Sequence, residues 1–400
     1  MTEEARTPEA GSCAARTPEA RLDGAQPVDE PFRWQSQLAE SEGRLFGDEE
    51  VVERHLGTGE FRGLEFLHVD AHRVLNEVPS GPLGFRWTVN AYRGCSHACT
   101  YCFARPTHRY LGLNMGDDFD RKIVVKVNAV ERLRAELRHP RWQGERVAMG
   151  TNTDPYQRAE GRYHLTQGII GVLSDARNPF SVLTKSPLVL RDLDLLAAAA
   201  TRTTVDVSLS IGTLDAEVWR LTEPGAPHPR RRVTAVARLN DAGVACGVLM
   251  GPVLPGLSDG AEQLAETVDA AVAAGARSVS AVYLHLRGPL RQHVLGWAAE
   301  ARPELAASWQ RLYGRRANVP TSLQAELSAR VEQLAADARR RHLPPPEPLR
   351  PETSLPAPVP RRRAPPPPHA EQLALWGEVS PPIPGDARRS GAPIRADRPP

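Results

Sequence analysis

The chain has 400 residues, 41% of them hydrophobic and 24% charged, with a formal net charge of +2. These values suit a soluble enzyme with one large or two smaller domains, and the near-neutral charge points to no particular partner. Five cysteines, three of them in one loop, exclude a disulfide scaffold and fit a reducing compartment. No apolar run reaches the length of a membrane span and no signal-type apolar segment follows Met1, so the expected location is cytoplasmic, with no membrane contact.

Residues 1–50 are rich in Glu, Asp, Ala and Pro, with TPEA written twice, and lack apolar periodicity. Such sequence cannot bury enough surface to offset its ordering entropy, which predicts a disordered acidic tail with Cys13 as a bystander. Residues 51–85 become apolar and patterned and are expected to lead into a first strand at 86–92. That strand opens onto NAYRGCSHACTYCFAR, in which Cys95, Cys99 and Cys102 stand as C-x3-C-x2-C. Three soft thiolates can bind three irons of a cubane and leave the fourth iron open. The competing reading is a structural zinc with His97 or His108 as fourth ligand. The chain has no second C-x2-C pair, which counts against it.

Beyond this loop strand and helix signals alternate. After a short apolar run at 123–127 and a helical stretch at 130–137, strand candidates recur at 146–151, 180–184, 204–211, 245–252 and 278–286. Helical spacing separates them at 165–175, 191–200, 230–242 and 261–274. Alternating β and α units imply parallel strands. Six strands suit an α/β partial (β/α)6 barrel over 86–290, with a doubly wound sheet as the competing arrangement. In either fold chemistry gathers at the carboxyl ends of the strands.

Tyr101 turns the cysteine spacing into C-x3-C-x-aromatic-C, which resembles the cluster loop of the radical S-adenosylmethionine (SAM) superfamily. The resemblance implies a [4Fe–4S] cluster whose open iron chelates SAM and whose electron, drawn from an external donor, cleaves it to a 5′-deoxyadenosyl radical. GTNTDPYQ at 150–157 stands where that superfamily often has GGE, and it resembles the spore photoproduct lyase, or "DNA repair photolyase", branch. YRGCSH, THRYLG, LTKS, RDLDLL and the EP-x-AP segment extend the resemblance over about residues 60–320.

The resemblance implies that Thr151, Asn152, Thr153 and Asp154 hold SAM, with Asp154 accepting from its ammonium, and that Lys185 meets its carboxylate. Ser208 and Ser210 share one strand face and are expected to line the lumen near the ribose or methionine. Gly247, Leu249 and Gly251 are similar to the family's G-x-I-x-G beside adenine, where missing side chains let a flat ring approach. Alternation sends Cys246 the other way, as a buried thiol rather than a hydrogen-atom donor, and leaves Tyr156 and Tyr283 as candidates for that role. Arg230, Arg231 and Arg232, after a Pro-rich turn, are candidates to grip substrate phosphate or carboxylate. Two departures stand out: Ala91 where relatives have Pro, and Ala98 where they have Gly. Ala98 disfavours the positive φ that Gly allows, so a slightly different loop path is expected.

Helical stretches at 290–301, 304–313 and 323–341 form a C-terminal extension over 291–342. Residues 343–400 are Pro-rich and basic, an expected extended tether. It carries one apolar island, Gln372, Leu373, Leu375 and Trp376, which resembles the Q-L-x-L-F peptide that docks bacterial repair proteins on the sliding clamp. The sequence therefore reads as a radical SAM enzyme, with a DNA base as the substrate the resemblance implies. Radical modification of a small molecule or protein is the alternative, and a noncatalytic Fe–S protein a further one.

Overall fold

The computed structural model describes residues 51–78 and 85–342. Both tails lie outside the described residues, and with them Cys13 and the island at Gln372–Trp376.

The main sheet has seven strands: β3 (Leu75–Glu77), β4 (Trp87–Val89), β7 (Val147–Met149), β8 (Phe180–Thr184), β9 (Val205–Ser210), β10 (Cys246–Val253) and β11 (Val279–Tyr283). From β4 to β11 every neighbour is parallel and follows in chain order, and β3 is added antiparallel at the β4 edge. Parallel neighbours cannot be joined by hairpins, so helices intervene. These include α2 (Ala129–Leu137), α4 (Leu165–Asp175), α5 (Leu193–Ala200), α7 (Pro229–Asp241) and α8 (Ala261–Ala273). This is the six-stranded partial barrel that the alternation predicts.

Strand alternation decides which residues meet the helices. Val182, Val207, Leu209, Val248 and Met250 join Ile169, Ile170 and Leu173 of α4, Val236 and Leu239 of α7 and Val268 of α8 in one core. Each such side chain contributes about 1.5–3 kcal/mol by leaving water.

A second sheet was not legible in the periodicity. The stretch expected only to lead into the barrel forms β1 (Val51–Leu56) and β2 (Glu65–Val69), and β6 (Lys122–Lys126) lies parallel to β2. The first predicted strand, 86–92, is in fact divided. The chain leaves the main sheet after Val89 and crosses at Asn90 and Ala91 to β5 (Tyr92–Arg93), antiparallel to β6. The cysteine loop therefore starts from the seam between two sheets.

The C-terminal extension is α9 (Pro289–Ala301), α10 (Pro303–Tyr313) and α11 (Thr321–His342). Leu290, Val294, Trp309 and Tyr313 pack with Cys99, Tyr101 and Leu254, so α9 and α10 roof one side of the cysteine loop. Helix α11 packs on α8 and β11. Gln324 at its start pairs with the open edge of β11, accepting from Tyr283 N at 3.0 Å and donating to Ala281 O at 3.0 Å. An edge strand is thereby closed to further pairing.

Candidate functional site

The cysteine loop is built by backbone turns. Gly94 takes φ +83°, and a Cβ there would come within 2.9 Å of both His108 and the Lys122 carbonyl, so this close approach admits only glycine. Cys95 N then bonds Phe119 O at 2.9 Å, Ala98 N bonds Cys95 O at 3.1 Å and Cys102 N bonds Cys99 O at 3.2 Å. Ala98 adopts φ +53°. The expectation that alanine would divert the loop is corrected: it accepts the left-handed conformation that glycine would take, at a cost of roughly 1–2 kcal/mol.

Cys95 and Cys99 are buried and Cys102 is half-buried. Burial raises all three thiols, and the neighbouring Asp154 carboxylate and the other two sulfurs raise Cys95 further. Such thiols shed their protons only to a bound cation. A single tetrahedral zinc would need its sulfurs about 3.8 Å apart, from a Zn–S bond of about 2.3 Å. Among the described residues the trio of ligand atoms gathered within 4.8 Å is Glu53, His55 and His68, not the cysteines. Of the histidines offered for the zinc reading, His97 turns Nδ1 to Asp154 Oδ2 at 3.3 Å, and His108 bonds Lys122 O through Nε2 at 3.0 Å while its buried Nδ1 has no partner; among the described residues neither joins the cysteines in a set of ligand atoms close enough to share one ion. Three wider-set soft ligands fit a cubane.

Two segments hold this loop. From one side comes the turn after α6 (Ala216–Thr222), where Thr100 N bonds Thr222 O and Gly225 N bonds His97 O, each at 3.0 Å. A Cβ on Gly225 would sit 2.2 Å from Ser96 O, so the two backbones touch. Glu223 lies at the centre of this contact, buried. It accepts from the Tyr101 hydroxyl, from Lys185 Nζ at 2.9 Å and from the Arg232 guanidinium. Burial alone would raise its carboxyl, but Arg232 and then Lys185 outweigh burial and hold Glu223 well below the usual carboxylate range.

From the other side comes the 150–157 loop. Thr153 Oγ1 donates to Gly94 O at 2.6 Å, and Gln157 Nε2 donates to the same oxygen at 2.8 Å while its Oε1 accepts from Ser96 N at 3.0 Å. Asp154 is likewise engaged. Its Oδ1 accepts from Thr184 Oγ1 at 2.6 Å and from Tyr156 N at 2.9 Å, and its Oδ2 accepts from Lys185 N at 2.7 Å beside His97. The sequence reading gave Asp154 to the SAM ammonium; in the structure it ties the end of β8 to the cysteine loop.

Other candidates are placed as follows. Lys185 Nζ also bonds Ser210 Oγ at 2.8 Å and lies 5.6 Å over the Tyr101 ring. Ser210 Oγ donates to Gly251 O at 2.8 Å, so Lys185, Ser210 and Gly251 meet near the strand ends. Ser208 and Gly247 pair one step lower. Gly247 is corrected: its missing Cβ leaves room for Ser278, 2.4 Å away, rather than for a ring. Leu249 is half-buried on the same face, and Cys246 opposite is fully buried, its thiol pushed up to about 12 by burial.

The three arginines do not act together. Arg230 pairs with Glu266 at 2.7 Å on the exposed face of α7, Arg231 is exposed, and Arg232 is sealed in the wall by Glu223, Ser210 O and Pro227 O. Arg232 is therefore corrected from a substrate contact to a structural partner of Glu223. Tyr156 is buried, its hydroxyl donating to Asp192 at 3.1 Å, while Tyr283 is half-exposed at the end of β11 with its hydroxyl 3.4 Å from Asp259. Of the two, Tyr283 keeps an exposed edge.

Asn90 was not singled out in the sequence. It follows β4, its Nδ2 lies 3.4 Å from Thr151 Oγ1, and its Oδ1 is buried with no hydrogen-bond partner. A buried acceptor left unpaired costs about 1–3 kcal/mol, which a donor from a ligand would relieve. Half-buried Thr151 and Asn152 lie beside it on the same rim. Past the third cysteine, Phe103 and Tyr110 expose aromatic surface, with Arg109 also exposed.

The sequence profile of the Radical SAM superfamily matches residues 89–271, which takes in the cysteine loop and strands β7 to β10. An uncharacterized protein of Mycobacterium tuberculosis is 47% identical over 287 residues, covering 72% of this chain and 84% of its own. One of Methanocaldococcus jannaschii is 28% identical over 196 residues, covering 49% and 70%. Among solved structures, spore photoproduct lyase complexed with dinucleoside spore photoproduct matches the fold with a TM-score of 0.50 at 18% identity, over 70% of this chain and 80% of that one.

Proposed function

This chain belongs to the radical SAM superfamily, and on that premise we propose that it holds a [4Fe–4S] cluster on Cys95, Cys99 and Cys102, binds SAM beside it and repairs or modifies a base in DNA. Held by Cys95, Cys99 and Cys102, the cluster would supply one-electron reduction of SAM, with the electron drawn from an external donor, and so the radical chemistry of the superfamily. The observation that carries the reading is the set of three thiols, two buried and one half-buried, on a loop braced from both sides by paired polar groups, with an unpaired buried acceptor beside it.

The chain's own groups divide the work. The thiols give up protons to bind the cluster. Asn90 Oδ1 would accept from the SAM amino group, with Thr151 and Asn152 beside it. Lys185 Nζ, which bonds Glu223 and Ser210, would hold the SAM carboxylate, and Ser210, Leu249 and Gly251 would border the nucleoside. Tyr283 is the candidate to return a hydrogen atom. Phe103 and Tyr110 supply stacking surface and Arg109 a positive charge, the pairing of features by which proteins hold unstacked bases. This surface favours a nucleic-acid substrate over a small molecule. The island at Gln372, Leu373, Leu375 and Trp376 would bring the enzyme to DNA by docking on a sliding clamp.

The test is release of 5′-deoxyadenosine by the reduced, anaerobically reconstituted chain with no DNA, intact DNA and ultraviolet-irradiated DNA. Faster release, with a changed base, in either DNA arm supports the reading. Release that ignores DNA in every form overturns the substrate, and no release at all overturns the chemistry.

A further inference from the structure

The small sheet carries a group that the radical site does not use. On β1 and β2, Glu53 stands opposite His68 and His55 opposite Phe66, so alternation puts Glu53, His55 and His68 on one face. Glu53 Oε2 lies 2.9 Å from His55 Nε2 and 3.8 Å from His68 Nδ1, and the imidazole centroids are 4.3 Å apart. The three ligand atoms fall within 4.8 Å of one another.

We propose that Glu53, His55 and His68 form a surface site for a divalent first-row transition ion, best matched by Zn2+. Two imidazoles and a carboxylate are a donor set this ion takes. For bonds of about 2.0–2.2 Å in a tetrahedron, ligand atoms stand about 3.4 Å apart, which the observed 2.9 and 3.8 Å bracket. An ordinary ion pair accounts for the His55 contact but leaves His68 Nδ1 facing a carboxylate oxygen at 3.8 Å.

The surroundings agree. His68 Nε2 lies 2.8 Å from the Tyr163 hydroxyl, and a metal on Nδ1 fixes the tautomer in which Nε2–H donates to it, the outer partner that metal-bound histidines usually have. His55 and His68 side chains are 30% and 15% exposed, so the ion can enter and keeps a fourth position for water. Tyr163 ends α3 (Glu160–Tyr163), which follows directly on the 150–157 loop. The ion would therefore pin the small sheet to the segment that braces the cysteine loop.

The experiment uses the full-length chain, reconstituted anaerobically, loaded with Zn2+ and dialysed, with zinc read by elemental analysis and affinity by chelator competition. About one zinc per chain is expected, lost in H55Q and in H68Q and weakened roughly 10–100-fold in Y163F. The same zinc should persist in the C95A/C99A/C102A chain, and Co2+ in its place should show d–d bands without thiolate charge transfer. To separate binding from folding, melting is compared with and without chelator: wild type should lose stability in chelator, down to the level of H55Q, which chelator should leave unchanged. Absence of retained zinc, zinc that survives both histidine substitutions, or zinc that vanishes only with the cysteines would overturn the site.

Discussion

Replacing Glu223 by Gln removes one charge from a buried cluster and keeps its shape. The Arg232 side chain is only 1% exposed and the Glu223 side chain 8%, and Arg232, Lys185 and Tyr101 all donate to this one carboxylate. Removing one member of a buried pair leaves the other charge uncompensated, at about 3–5 kcal/mol. With an unfolding entropy of about 2.1 cal/mol/K per residue over roughly 290 folded residues, that lowers the melting temperature by about 5–8 °C. The dependence on pH gives a second signature. Glu223 is depressed in the folded state, so its stabilisation is fully present above the unfolded carboxyl value of 4.5 and is lost as pH falls toward the lower folded value. The gap between wild type and E223Q should therefore be constant from pH 7 down to about 5 and close below that, as calorimetry across pH would read. The double variant E223Q/R232M should recover part of the loss. A melting temperature within about 1 °C of wild type at pH 7 would refute the reasoning, because it would mean that the cluster is hydrated and weakly coupled.

Three further outcomes are expected. His108 is held down to about 4 by burial, against an ordinary 6.5, so stability present above pH 6.5 should fall by about 3 kcal/mol as pH drops toward 4, and urea titrations of H108Q should lack that part of the slope. Ala98→Gly should stabilise the chain by about 1 kcal/mol by relieving φ +53°, whereas Ala307→Gly at an exposed position of α10 should cost about as much in the same urea assay. Phe103→Ala should leave SAM cleavage without substrate unchanged but raise the KM for DNA roughly 5- to 150-fold, the worth of one stacked base; an unchanged KM would remove Phe103 from the substrate surface.

The barrel was legible because each parallel strand is a short apolar run followed by a helical pattern, and core alternation in 180–184 and 204–211 survives in β8 and β9. The small sheet was not, because its members come from 51–56, 65–69, 92–93 and 122–126, and no local period reveals that such distant pieces pair. At the site the structure brings the loops that the sequence marked together around the cysteines, but gives several side chains in them other partners than expected. Asp154 and Arg232 carry the charges one looks for in a binding residue, yet Asp154 spends its charge on Thr184 and Lys185, some thirty residues on, and Arg232 on Glu223 across the Pro-rich turn. Asn90 and Glu223 stood inside motifs already noticed, and only the three-dimensional partners, or the lack of one, distinguish them.

The central claim is an open-iron cluster on three cysteines, and it is tested by counting iron and product in one series. The reconstituted wild type should bind about four irons and, once reduced, convert SAM to 5′-deoxyadenosine, while C95A, C99A and C102A should each abolish that conversion. Zinc held by the cysteines in place of iron, with no 5′-deoxyadenosine formed, would contradict the account.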